Sequence, residues 1–296
     1  MTQARVESYS SLSMLAECDE KYRLSYVERL DSGTSAPQKA GSVLDRALNH
    51  LYVSKWDATE AIEVMREEWG DFRLPLGSKH AWLTLSFLEE RLRGYMRERE
   101  ASPTILEEGE VIKAYSGGEA HVFDWSNASG RLVRLRGIPD FVLRHGGKTY
   151  VPDVKCTTSW VSDHWMLQFR LGHQLRVYAA MFQNLEGERV AGGLINAIYM
   201  GEKALDPPEA WKRRESVPSA LHLVDFTQEQ IEETHEWARG LILRRDANHE
   251  SRLWPQNEKA CAAYGGCAFL DLCTAPSRSV RLARMMMRFK RKEERA

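Results

Sequence analysis

The stretch RGIPDFVLRHGGKTYVPDVKCTTSW, Arg136 to Trp160, decides how this chain is read. Residues 131–143 and 148–155 have strand character, and Gly146-Gly147 between them marks a turn. A hairpin of that length brings Asp140 close to Asp153. Strand side chains alternate, so Asp153 and Lys155 face the same way. Two converging carboxylates repel each other unless a cation lies between them, and a hard divalent ion with oxygen ligands suits that geometry. The same Asp-x-Lys spacing recurs at Asp19-Glu20-Lys21, but in a helical pattern where positions two apart diverge. The bland alternative at Asp153 and Lys155 is a surface ion pair of little worth.

The chemistry such a site supports is phosphodiester hydrolysis. Mg²⁺ held by Asp140, Asp153 and the Val154 carbonyl would acidify water and offset charge on the phosphoryl oxygens. Lys155, a compact cation, would orient the water and stabilise developing negative charge.

Around this centre the chain is ordinary. Its 296 residues, 43% hydrophobic and 28% charged, suit one large domain or two modest ones. No apolar run reaches membrane-spanning length, and the start MTQARVESYSS lacks the apolar centre of a secretory signal, which gives a cytoplasmic expectation. Cysteines in a reducing compartment are free or metal-bound. The net charge of −1 hides an asymmetry: Arg278 to Ala296 sums to +6, leaving −7 for the rest. That tail reads either as a nucleic-acid contact or as a solvated amphipathic helix end.

Ser10-Ser11 ahead of Leu12, Met14 and Leu15 predicts a capped helix carrying Cys18. Val43, Leu44, Ala47, Leu48, Leu51 and Tyr52 sit at helical spacing, with Asp45 and Asn49 on another face. Helices are expected near 57–70, 79–101, 163–184 and 227–247. Short strands joined as hairpins are expected over 107–155, then strands at 190–200 and 220–226. The expected parts are a helical segment 1–104, a core 105–226, a helix with a cysteine loop 227–277, and a basic tail 278–296.

GIPDFV followed by YVPDVKCTTSW resembles the second and third motifs of the PD-(D/E)xK nucleases, in their RecB-like branch. That branch shows Gly-x-x-Asp, Asp-x-Lys-Thr, then a helix with Gln-x-x-x-Tyr, here Gln174 to Tyr178. The resemblance implies an α/β, restriction-endonuclease-like core, a mixed central sheet flanked by helices. It implies that Gln174 aligns the lysine or a phosphate and that Tyr178 lines the same groove. Where the branch has Gly-x-x-x-His, this chain reads Gly41 to Asp45, so Asp45 is either a metal ligand or a helix-surface residue. Pro152, in place of an apolar strand residue, suggests an edge or a distorted strand end.

Cys261, Cys267 and Cys273 are evenly spaced around Gly265-Gly266, and three thiolates in so short a stretch need a fourth ligand. Cys18 is the available one. The arrangement resembles RecB-like nucleases with an iron–sulfur cluster, in which one cysteine precedes the core and three follow it. Ser10, Cys18 and Tyr22 fit that group's first helix. The resemblance implies a [4Fe–4S] cluster on Cys18, Cys261, Cys267 and Cys273 as a clamp drawn from both termini, with Zn²⁺ or free thiols as the other readings. Cys156 reads as a small buried hydrophobe.

Together these features imply an exonuclease dependent on Mg²⁺ or Mn²⁺, acting on single-stranded or frayed DNA in recombination, repair or phage and CRISPR DNA processing. Trp160, Trp165 and Phe169 are candidates to stack on bases or to be core aromatics. No GxxxxGK[ST] motif is present, so a helicase or recombination partner would be a separate chain. The competing reading is a cluster-stapled DNA-binding adaptor with a degenerate centre, motivated by Asp45 in place of histidine.

Overall fold

Ser8, Ser35, Asp57 and Thr84 each cap the helix that follows, accepting backbone N–H groups in its first turn. The computed structural model describes residues 6–74, 77–115, 121–126, 132–137, 139–213, 218–262 and 266–292. In chain order these form β1 (Glu7–Ser8), α1 (Tyr9–Glu17), α2 (Asp19–Tyr22), β2 (Leu30–Asp31), α3 (Ala36–Val53), α4 (Ala58–Trp69), α5 (Leu85–Ala101) and α6 (Ile105–Glu108). Strands β3 (Glu110–Ala114), β4 (His121–Ser126), β5 (Leu132–Gly137), β6 (Phe141–His145) and β7 (Lys148–Thr157) come next. Then follow α7 (Asp163–Leu171), α8 (Gln174–Glu186), β8 (Gly192–Tyr199), α9 (Pro208–Arg213), β9 (Ser219–Asp225) and α10 (Gln228–Ser251). The last elements are α11 (Glu258–Ala262), α12 (Leu270–Cys273), α13 (Arg278–Arg288) and β10 (Lys290–Arg291).

The chain divides into two compact units, the larger being Thr34–Phe123 with Gly137–Ile231. It contains a five-stranded sheet in the order β3-β6-β7-β8-β9, in which only β7 and β8 run parallel. This is a mixed α/β fold with a central mixed sheet flanked by helices. Helix α3 buries Val43, Leu44, Ala47, Leu48 and Leu51 completely, as their spacing predicts. Each of these valine and leucine side chains contributes roughly 1.5–3 kcal/mol through its burial.

One hairpin sets the geometry of the larger unit. Gly146 and Gly147 have φ of 56° and 73°, the two positive values that a two-residue hairpin turn requires. His145 then pairs with Lys148 and Leu143 with Tyr150. Pairing stops there, but the same count carried back along the chain leads Asp140 toward Asp153. Gly147→Ala is expected to destabilise the protein by about 1–3 kcal/mol, while Gly147→Asn, which tolerates positive φ, costs less. Urea midpoints check this, and equal losses for both variants would refute the turn as the cause.

Pro152 is not on an edge strand, since β7 lies in the middle of the sheet. Odd-numbered residues of β7 bond to β8, as Thr149 O accepting from Ala191 N and Thr157 O accepting from Met200 N show. Even-numbered residues therefore turn their peptide groups toward β6, whose register with β7 stops at Tyr150. Proline sits two residues past that point, where its missing N–H costs little.

Two expectations give way here. The helix over 163–184 is two helices, broken at Gly172, which ends α7 in extended backbone where a Cβ would lie 2.6 Å from the Gln168 carbonyl oxygen. The strands before β7 do not form one chain of hairpins: β3 pairs with β6, and β4 and β5 join a separate sheet. Gly117-Gly118 and Asn127 to Gly130, which the sequence marks as turns between these strands, lie outside the described residues.

The smaller unit gathers the chain up to Gly33, Asp124–Arg136, and the chain from Glu232. Its three-stranded sheet has the order β1-β5-β4, with β1 parallel to β5. Buried Glu7 accepts hydrogen bonds from Ser11 Oγ (2.6 Å), Tyr22 Oη (2.8 Å) and Arg245 Nη1 (2.5 Å), fastening the first helices to α10. The cap of α1 is Ser8 rather than Ser10-Ser11, and Ser10 is exposed. The basic segment is not a free arm. Arg281 pairs with Glu20, Arg288 with Asp271, and β10 pairs with β2.

Candidate active site

Strand β7 carries Asp153-Val154-Lys155 in its second half, and three elements bring partners to it. The hairpin supplies Asp140, helix α3 supplies Asp45 and Asn49, and helix α8 supplies Gln174 and Tyr178. The close fit of α8 depends on Gly193, where a Cβ would lie 2.5 Å from Leu175 Cδ1. Gln174, the first residue of α8, donates from Nε2 to Asp153 Oδ1 (3.3 Å) and to Tyr178 Oη (3.2 Å). Lys155 Nζ lies 2.5 Å from Asp153 Oδ2.

Electrostatics show how tightly the acids converge. Burial, and then the charge of Asp153, push the Asp140 carboxyl up to about 7, against the Lys155 ammonium and hydrogen bonds from Asn49 and the Val154 N–H. Burial, then Asp140 and Asp153, hold Asp45 well above the usual carboxylate range. Burial alone would lower the Lys155 pKa, but Asp153 beside it outweighs that and raises it. Lys155 therefore stays a cation at neutral pH. Tyr178 is raised by burial and by Asp153.

All five residues expected from the carboxylate motif and the Gln-x-x-x-Tyr helix meet in this one place, and Asp45 joins them. Asn49 was visible in the sequence only as a neighbour of Asp45 on one helix face. Its Nδ2 lies 3.4 Å from Asp45 Oδ1, and it also donates to Asp140, so it links the two acids. Cys156 packs among the apolar side chains between α3 and the sheet. His50 faces away and pairs with Glu60 (3.1 Å).

Among the described residues, no three His, Cys, Asp or Glu side chains stand in a ligating arrangement. The donor set nevertheless fits a cation. Asn49 Oδ1 is a buried oxygen that accepts no hydrogen bond among the described residues, and Asp45 and Asp140 are both raised by burial and by a neighbouring acid. A divalent ion would relieve both conditions.

The four cysteines are all free. Cys18, buried, ends α1 and begins α2. Cys267 N donates to Cys261 O at 2.9 Å. The Cys261 thiol is raised by burial, then by Cys267 and Cys18. Cys273 is raised to about 11 by burial and Glu20, with Cys267 and Cys261 adding to the effect. Cys261 is thus within electrostatic reach of the other three, although no three of these thiols stand in a ligating arrangement among the described residues. Gly266 has φ of 110°, and Gly265 lies outside the described residues.

The family model of the PD-(D/E)XK nuclease superfamily matches residues 7–274. The chain belongs to that superfamily. Its members typically use divalent metals, which agrees with the acid cluster. No curated protein matches the sequence. Among solved structures, the chain is similar to a protein from Eubacterium rectale named "Putative exonuclease", at 12% identity and a TM-score of 0.49, over 87% of this chain and 86% of that one. It is also similar to SSO0001, at 14% identity and a TM-score of 0.32, over 90% and 95%.

Within this PD-(D/E)XK chain, Asp140 ties stability to pH. Its folded pKa lies above the ordinary 3.8, so the folded state holds a proton that the unfolded state releases. The stabilisation from that proton is full below about pH 4 and is lost as pH rises through about 7. In chelator, melting temperature is therefore expected to carry a component that falls across this window, absent in Asp140→Asn. A divalent cation should raise the melting temperature more at pH 8 than at pH 5. An equal rise at both values would remove Asp140 from the metal site.

Proposed function

We propose that this chain is a metal-dependent deoxyribonuclease, an exonuclease that hydrolyses phosphodiester bonds at single-stranded or frayed DNA ends. The convergence of Asp140, Asp153 and Lys155, braced by Gln174 and by Asn49, carries this reading. Asp140, Asp153, Asp45 and the Val154 carbonyl would hold Mg²⁺ or Mn²⁺. That ion supplies the charge that offsets the phosphoryl and leaving oxygens and makes water acidic enough to attack. Lys155 Nζ orients the water and opposes the negative charge that develops. Gln174 fixes Asp153 through its Oδ1, leaving Oδ2 toward the lysine and the ion.

Trp160 supports a single-stranded substrate. Its ring stacks on Tyr199 at 4.7 Å and 7°, with Trp211 edge-on at 5.4 Å, yet the residue remains 42% exposed. An exposed aromatic face just past the end of β7 suits an unstacked base. Trp165 and Phe169 instead pack edge-on against each other at 4.7 Å.

In the smaller unit, Cys18, Cys261, Cys267 and Cys273 would hold a [4Fe–4S] cluster, joining the chain's first helices to its last by covalent bonds. Processing of DNA in recombination, repair, phage or CRISPR systems fits these parts.

The test is degradation of end-labelled single- and double-stranded DNA with Mg²⁺, with Mn²⁺ and with chelator. Shortening from the ends that requires metal and favours single strands is expected. DNA binding without cleavage would favour the adaptor reading. Anaerobically purified protein should be brown, and Cys18→Ser should lose both the colour and thermal stability. Colourless protein that contains zinc would replace the cluster with Zn²⁺.

A further inference from the structure

A cavity of about 630 Å³ opens in the smaller unit, lined by Arg23, Arg278, Arg281 and Arg291 along with Leu272, Leu282 and Met285. Two of these arginines are already committed. Arg23 binds Glu20 at 2.7 and 3.0 Å and Glu28 at 2.7 Å, and Arg281 also holds Glu20. Two acids and two arginines thus cancel. Arg278 and Arg291 are exposed and form no ion pair among the described residues, leaving the cavity with two uncompensated cations.

The cavity is distinct from the cysteine set. Of the four cysteines only Cys273 reaches its wall, and Cys18, Cys261 and Cys267 do not line it. Its volume exceeds what a lone phosphate fills and lies within the usual range for small-molecule sites. Its lining combines guanidinium groups with aliphatic and thioether side chains.

We propose that this cavity binds one nucleotide of a DNA strand, its phosphate held by Arg278 and Arg291 and its ring laid against Leu272, Leu282 and Met285. The assignment deepens the nuclease reading and rests on it only for the choice of DNA as the source of the nucleotide. The cavity is a holding point for the strand and takes no part in bond cleavage.

The experiment uses the full-length protein and a short fluorescein-labelled oligothymidylate, read by anisotropy at several salt concentrations. Arg278→Glu/Arg291→Glu is expected to weaken binding about tenfold or more and to flatten the salt dependence by about 0.7 in log–log slope, the value for one phosphate contact on a single strand. Lys290→Glu/Lys292→Glu reverses the same charge in the same segment, outside the cavity. Equal weakening by both pairs would overturn the proposal in favour of a general basic field.

Arg278→Ala/Arg291→Ala guards against misfolding by charge reversal, and a melt matching the wild type is required of each variant. Thymidine monophosphate should displace the strand at lower concentration than inorganic phosphate. Equal displacement would overturn the nucleotide assignment. Failure here and failure of the nuclease reading separate cleanly. Cleavage at saturating DNA survives the arginine variants if the proposal holds. Wild-type protein that binds through these arginines but never cleaves sinks the nuclease reading and leaves the cavity standing.

Discussion

Lys155→Ala is expected to lower the turnover of metal-dependent DNA cleavage by on the order of a thousandfold, with binding of the strand nearly unchanged. The reason lies in what surrounds the ammonium. It sits 2.5 Å from Asp153 Oδ2, and Asp153, Tyr178 and Asp45 all favour its charged form. It is therefore a fixed positive charge at neutral pH rather than a base. Such a charge matters most where charge develops during reaction and little where substrate merely docks. Lys155→Arg should rescue poorly, because a planar fork cannot take the place of a compact ammonium in that space. Single-turnover cleavage beside anisotropy measures the two quantities separately. Full turnover in Lys155→Ala would remove the residue from the chemistry. A large loss of binding alone would reassign it to docking.

Arg91→Met is expected to cost about 3–5 kcal/mol of stability, the range for removing one partner from a buried charged network. Arg91 is 1% exposed. It donates from Nε to Tyr199 O (3.1 Å), from Nη2 to Pro218 O (2.8 Å) and from Nη1 to Glu98 Oε1 (3.1 Å). It thereby holds the end of β8 and the start of β9 to helix α5. Methionine fills similar space but leaves two carbonyls and a carboxylate short of donors. For a domain of this size the melting temperature should fall by roughly ten degrees. Glu98→Gln added to Arg91→Met should recover part of the loss, since Ser219 Oγ can still donate to the amide oxygen that replaces Glu98 Oε2. A single variant that melts with the wild type would show that the network is incidental.

Local patterns carried the acid pair and the lysine into view before any coordinates. The Gly146-Gly147 turn fixes the register of β6 on β7, and that register leads Asp140 toward Asp153. The apolar spacing of α3 likewise gives its buried face without help from the rest of the chain. What escaped depends on contacts distant in sequence. Nothing near Gly172 announces that the Gln168 carbonyl forbids a side chain there, because a glycine within a helical pattern is commonly tolerated. The departure of β4 and β5 to a separate sheet rests on β5 pairing with β1, more than a hundred residues away. Asn49 shares a face with Asp45 by spacing, but its bond to Asp140 needs helix and hairpin assembled. The excess positive charge of the last segment was plain in the composition. That Glu20 and Asp271 consume much of it was not.

Pro152 leaves a lasting mark on β7. A residue able to donate at that position could let β6 extend its ladder and zip shut over the acids. By lacking a hydrogen, proline acts as a doorstop: the sheet is kept from finishing itself, and the Val154 amide stays available to a carboxylate instead of to a neighbouring strand.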